Sequence, residues 1–147
     1  MCPRLLGRLS PISRWAWVLF EAKLCNRHAN PNKVVSVADA SGGQALDPCM
    51  QAALDYWKNR YVQHGATNQR FDELFVEQAG RNVAEPVLIA GAPDERAKLQ
   101  CLLLIVYRLR NNLFHGNKEI HTFNDQKENL DHATAVLAKV MEWHGVS

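Results

Sequence analysis

The residues of this chain best suited to chemistry are Arg110, Asn111 and His115, in the string YRLRNNLFHGNK at 107–118. Arginine offers a planar fork of donors that grips phosphate in pairs. Histidine exchanges a proton near neutral pH. Asn111 and His115 stand four apart, so on a helix they share a face, and the Arg110 side chain is long enough to reach toward it. The set could hold an anion and move a proton beside it. The bare spacing carries little weight, because ten arginines and six histidines give about one such arginine–histidine pair by chance. Context adds the weight: an amide directly follows Arg110, a glycine directly follows His115, and the string lies in an acid-free stretch.

A plainer account exists at each position. Histidine followed by glycine is also what a helix C-terminus looks like, with the imidazole near the free carbonyls and Gly116 in the left-handed conformation. Asn111 near a helix end can simply bond to backbone. His64 beside Gly65 is expected to be another helix end. His121 with Glu119 or Asp125 does not supply three ligands at metal-binding geometry, so no metal is expected. Phe71, Phe75, Phe114 and the four tryptophans fall mostly on apolar seams and are read as core or dimer interface, not as base-stacking platforms. No glycine-rich phosphate loop, nucleophile elbow or pair of catalytic carboxylates is present.

The elements that would position these residues are helices. Ser10-Pro11 is a cap followed by proline at the first helical position, and Ile12, Trp15, Ala16 and Leu19 follow at helical spacing to an end near Asn26. Asp47-Pro48 repeats that start, and Met50, Leu54, Trp57 and Tyr61 form a seam before Gly65. A shorter helix is expected over about 68–79 with Gly80 as its stop. From Asp94 a long helix runs to Gly116, apolar on nearly all sides between Leu102 and Val106, as befits the middle of a bundle. Thr122 with Asp125 resembles a capping box ahead of a last helix carrying Leu130, Ala133, Leu137, Val140 and Met141. Residues 29–45, with Asn30-Pro31-Asn32 and Ser41-Gly42-Gly43, read as loop apart from a short extended piece at 33–37, and 83–93, with two prolines and a glycine, reads as loop. The expectation is a single all-α domain over 1–147, a bundle of about five helices with the last two long ones antiparallel.

Composition agrees with a globular chain. At 147 residues, 47% hydrophobic and 22% charged, it buries enough surface to fold without staples, roughly 70% of what the unfolded chain exposes, and it is far from disordered composition. Cys2, Cys25, Cys49 and Cys101 show no zinc-ligand spacing and read as reduced and mostly buried. The longest uncharged apolar run, 101–107, is far short of a bilayer span, and no signal peptide is evident, so a cytoplasmic location is expected. The net charge of +2 is laid out in blocks: +5 over 1–38, −5 over 39–95, +5 over 96–118 and −3 beyond. The acid-free block holds Arg96, Lys98, Arg108, Arg110 and Lys118, a set that could face a polyanion as well as solvent.

The string RNNLFHG at 110–116 resembles the signature of the HEPN family, small helical-bundle proteins with an R-x4-6-H motif in which a polar residue follows the arginine. Arg110, Asn111 and His115 match it with four intervening residues, and the likeness extends to the long motif-bearing helix and the amphipathic helix after it, over 94–143. The resemblance implies an endoribonuclease that needs no metal or cofactor, commonly a toxin or defence effector, active as a homodimer whose two motifs line one cleft. In it Arg110, Asn111 and His115 are the catalytic set, and Arg108 and Lys118 are weaker RNA-binding candidates. A two-fold dimer would also supply the two histidines that acid–base cleavage calls for. A tyrosine that some members carry two residues after the histidine, as the target of a nucleotidyltransferase antitoxin, is Asn117 here; an antitoxin partner would have to act otherwise. The alternative is a helical module without catalysis that binds RNA, a nucleotide or a protein through the same basic cleft.

Overall fold

The computed structural model describes the backbone of residues 11–91, 94–114 and 123–146 and the side chains of 16–91, 94–112 and 127–146. Within these the fold is an all-α bundle with one minimal β-ribbon. The expected caps Ser10 and Thr122 lie outside the described residues.

The first helix, α1 (Pro11–Leu24), begins at its proline and closes through Asn26 and Arg27, both at positive φ, where Arg27 N–H donates to the Glu21 carbonyl. The next element departs from expectation: 31–40 is a helix, α2 (Pro31–Ala40). Asn30 caps it by accepting from Lys33 N–H, Pro31 sits in the first turn, and Val34, Val37 and Ala38 face the core. The helix α3 (Pro48–Tyr61) follows its expected start, with Asp47 accepting from the amides of Cys49 and Met50, and it buries the whole Met50, Leu54, Trp57 and Tyr61 seam.

After α3 the chain makes a two-stranded hairpin, β1 (Val62–Gln63) paired with β2 (Ala66–Thr67). His64 and Gly65 form its turn, at φ 54° and 78°. Two consecutive positive φ values are what a two-residue hairpin of this hand requires, so His64 is a turn residue and not a helix end. The expected helix at 68–79 is split. A short α4 (Gln69–Leu74), capped by Asn68, gives way at Phe75, and α5 (Gln78–Ala90) then runs through both Gly80 and Pro86. Arg81 joins the two: it pairs with Asp72 at 2.8 Å, donates to the Phe75 carbonyl and lies over the Phe71 ring.

The last two helices are α6 (Glu95–Phe114) and α7 (Phe123–Trp143). With α2 and α5 added, the described residues hold seven helices where about five were expected. In α6 Leu99, Cys101 to Val106 and Leu109 are all buried, and the helix packs against α2, α3, α4, α5 and α7. The apolar girdle thus marks the central helix of the bundle. The link between α2 and α3 fixes the direction of α7. It ties to the start of α6 through Leu46 N–H with Glu95, next to the bond from Gln100 to Asp39 in the last turn of α2, and to the end of α7 through Ser41 with His144 and Asp47 with Lys139. One loop therefore clasps the beginning of α6 and the finish of α7, and the two helices run antiparallel.

Buried side chains from all seven helices form one contiguous core. Cys25 and Cys101 are free and buried. Cys49 departs from the expectation of reduced cysteines, being disulfide-bonded. None of the described helices is long and apolar enough to cross a membrane.

Candidate functional site

The described candidate residues, Arg108, Arg110 and Asn111, sit in the last two turns of α6, which the core holds along most of its length. Arg110 and Asn111 are both half-buried. Arg110 Nη1 donates to Asn111 Oδ1 at 3.3 Å, so the structure brings these two side chains together. The guanidinium carbon of Arg110 also lies over the indole of Trp17, 5.5 Å from the ring centroid. That indole packs against Phe20 of its own helix at 5.4 Å and Tyr107 of α6 at 6.3 Å. Tyr107 and Arg110 are three residues apart and share a helix face. Trp17 lies across that face and touches both.

Arg108 belongs to a different flank. Its Nε donates to the Leu74 carbonyl at 2.9 Å, where α4 ends, and Nη2 reaches Asn112 at 3.5 Å. One of its donors therefore satisfies a helix-end carbonyl that α4 leaves without an internal partner. Two residues along a helix turn a side chain about 200°, which is why Arg108 meets α4 while Arg110 meets α1. The structure separates these two arginines. His115 and Lys118, with Gly116 between them, lie outside the described residues.

Two polar clusters escaped the sequence reading. Between α3 and α7, His132 stacks on Tyr56 at 4.5 Å, meets the edge of Trp57 at 6.1 Å, and lies one turn from Asn129, which holds the Trp57 indole. Burial lowers the His132 pKa below its ordinary 6.5, with Glu128 and Asp131 pulling the other way. Burial raises the pKa of the neighbouring Asp131. The second cluster joins Ser41 Oγ to His144 Nε2 at 3.0 Å. Ser41 Oγ also donates to the Val37 carbonyl one turn back. With its only proton committed there, the hydroxyl accepts from His144, the reverse of a serine activated by a base. This pair ties the end of α2 to the end of α7. Asn129 and His132 could have been flagged by their three-residue spacing on an otherwise apolar face; Ser41 and His144 are too far apart in sequence to give any signal.

Among the described residues no group of three or more His, Cys, Asp or Glu side chains is placed to hold a metal ion. Comparison with protein-family models, with curated proteins and with solved structures gives no match.

Proposed function

We propose that this chain is a HEPN-type endoribonuclease that cuts RNA by attack of the RNA's own 2′-hydroxyl, working as a toxin or defence effector and as a homodimer with two motifs in one cleft. The observation that carries the reading is the state of Arg110. A guanidinium bonded to Asn111 and set against an indole, near the end of the most buried helix, is ordered before any phosphate arrives. Preorganised charge of this kind is what phosphoryl chemistry asks of a protein.

In the proposed reaction Arg110 binds the scissile phosphate and stabilises charge on its oxygens, while Asn111 orients Arg110 or the phosphate. His115 handles protons: the 2′-oxygen bonds to phosphorus as its proton passes to a base, and the P–O5′ bond breaks as an acid protonates the leaving oxygen. The products are a 2′,3′-cyclic phosphate and a 5′-hydroxyl. No redox change or external co-reactant is involved.

The test is incubation of the protein with structured and unstructured RNA in EDTA, beside His115→Ala, with analysis of product ends. Cuts ending in 2′,3′-cyclic phosphate that vanish in the variant are expected. Binding without cutting, or equal cutting by the variant, would sink the catalytic assignment and leave a silent binding module.

A further inference from the structure

We propose that Trp17 is a positioning residue for Arg110, holding the guanidinium for capture of an RNA phosphate; the inference rests on the ribonuclease reading for the identity of the ligand, but not for the coupling between the two residues. The two partly buried arginines of α6 contrast. Arg108 is anchored by a hydrogen bond that spends its Nε–H on the Leu74 carbonyl. Arg110 donates through Nη1 to Asn111 and is also held against a ring face. Cation–π attraction fixes a guanidinium without consuming an N–H, and N–H groups are what bind phosphate oxygens. The contact with Trp17 therefore orients the Arg110 guanidinium without itself competing with phosphate for a donor.

The platform itself is rigid. Trp17 is only 5% exposed and is flanked by Phe20 and Tyr107. Its Nε1 is buried with no hydrogen-bond partner among the described residues, and a buried donor left in that state costs free energy. Phenylalanine would fill most of the volume without that cost, so space-filling alone does not account for an indole here. Indole does present the strongest cation-binding face of the aromatic side chains. Ordering Arg110 in advance also removes part of the entropy loss that phosphate binding would otherwise incur.

The experiment is a double-mutant cycle read by affinity for a single-stranded 2′-O-methyl RNA, which carries phosphates but no attacking hydroxyl. Its members are wild type, Trp17→Leu, Arg110→Ala and the double variant, with Trp17→Phe as a milder replacement if Trp17→Leu fails to fold. Trp17→Leu is expected to weaken binding about tenfold and Trp17→Phe about threefold, in keeping with a partly desolvated cation–π contact. Neither change should weaken it further in the Arg110→Ala background. An equal loss in both backgrounds, or no loss in either, would overturn the inference, since a merely structural role would act regardless of Arg110. Unmodified RNA run alongside separates the two ideas. Coupling without cleavage keeps Trp17 and rejects the ribonuclease; cleavage without coupling does the opposite; a wild type that does not bind the analogue rejects the inference.

Discussion

The indole Nε1 of Trp57 donates to Oδ1 of Asn129 at 3.0 Å, and neither residue has more than 1% of its surface exposed. This bond joins α3 to α7 across the interior. A buried pair of this kind is worth little net when intact but costs about 1–3 kcal/mol when one partner is left unsatisfied. Asn129→Leu should therefore lower stability by about that amount, and Trp57→Phe should cost packing as well as strand the amide. Restoring apolar character on both sides removes the orphan, so the double variant should lose less than the sum of the singles. Urea unfolding of all four proteins reads the cycle; strict additivity would show that the bond does not couple the helices.

His132 gives the fold a dependence on pH. Its folded-state pKa is lowered from 6.5, chiefly by burial, while Glu128 and Asp131 beside it partly offset the effect and Tyr56 and Trp57 face it from α3. The unfolded chain then binds the proton more readily than the folded one. Its contribution to stability is complete above the unfolded value of 6.5 and is lost as pH falls through the lower folded value. His132→Phe keeps a ring against Tyr56 and removes the proton site. Unfolding midpoints measured from about pH 7 to pH 5 should fall less steeply in the variant, and an unchanged slope would assign the dependence elsewhere.

Much of this architecture could be read in advance where periodicity is long. The α3 seam, the apolar girdle of α6 and the buried face of α7 at Ala133, Leu137, Val140 and Met141 follow from spacing, because a stripe sustained over several turns has few alternatives; Leu130, expected on that face, is only half-buried. Residues 31–40 did not yield, although Asn30-Pro31 repeats the start seen at Asp47-Pro48. Two of its three buried residues, Val34 and Val37, are β-branched, and the helix is short enough that packing on α6, not propensity, decides its state. Arg110 and Asn111 were legible from residue type and neighbours. Trp17 was not, because only tertiary packing brings α1 against the face of α6 that carries Arg110.

The free thiols should be inert in the native protein. Burial, with Glu21 nearby, pushes Cys25 up to about 11, and complete burial raises Cys101 as well. The Cys101 Sγ also points at the Ala84 carbonyl at 3.8 Å. Alkylation needs the thiolate, so iodoacetamide at pH about 8 should leave both residues unlabelled until denaturant is added. Peptide mapping by mass reads each cysteine separately. Rapid native labelling of Cys101 would contradict the packing of α5 against α6.

Gly80 lies inside α5, where a helix would ordinarily gain about 1 kcal/mol from alanine. Here the sign should reverse. A Cβ at this position would lie 3.0 Å from Cδ1 and 3.2 Å from Cε1 of Phe75. The ring has little room to yield: Phe75 is 1% exposed and packs on Phe71 at 4.9 Å, which is itself fully buried against Tyr61. Forcing a methyl into such a site costs about 1–3 kcal/mol, enough to outweigh the propensity gain. Gly80→Ala should thus be less stable than wild type by about 1 kcal/mol, read from the urea midpoint. Phe75→Leu removes the ring edge, so in that background the same substitution should become neutral or stabilising. An alanine variant at least as stable as wild type would show that the α4–α5 corner repacks freely around Phe75, and that Gly80 is there for no steric reason.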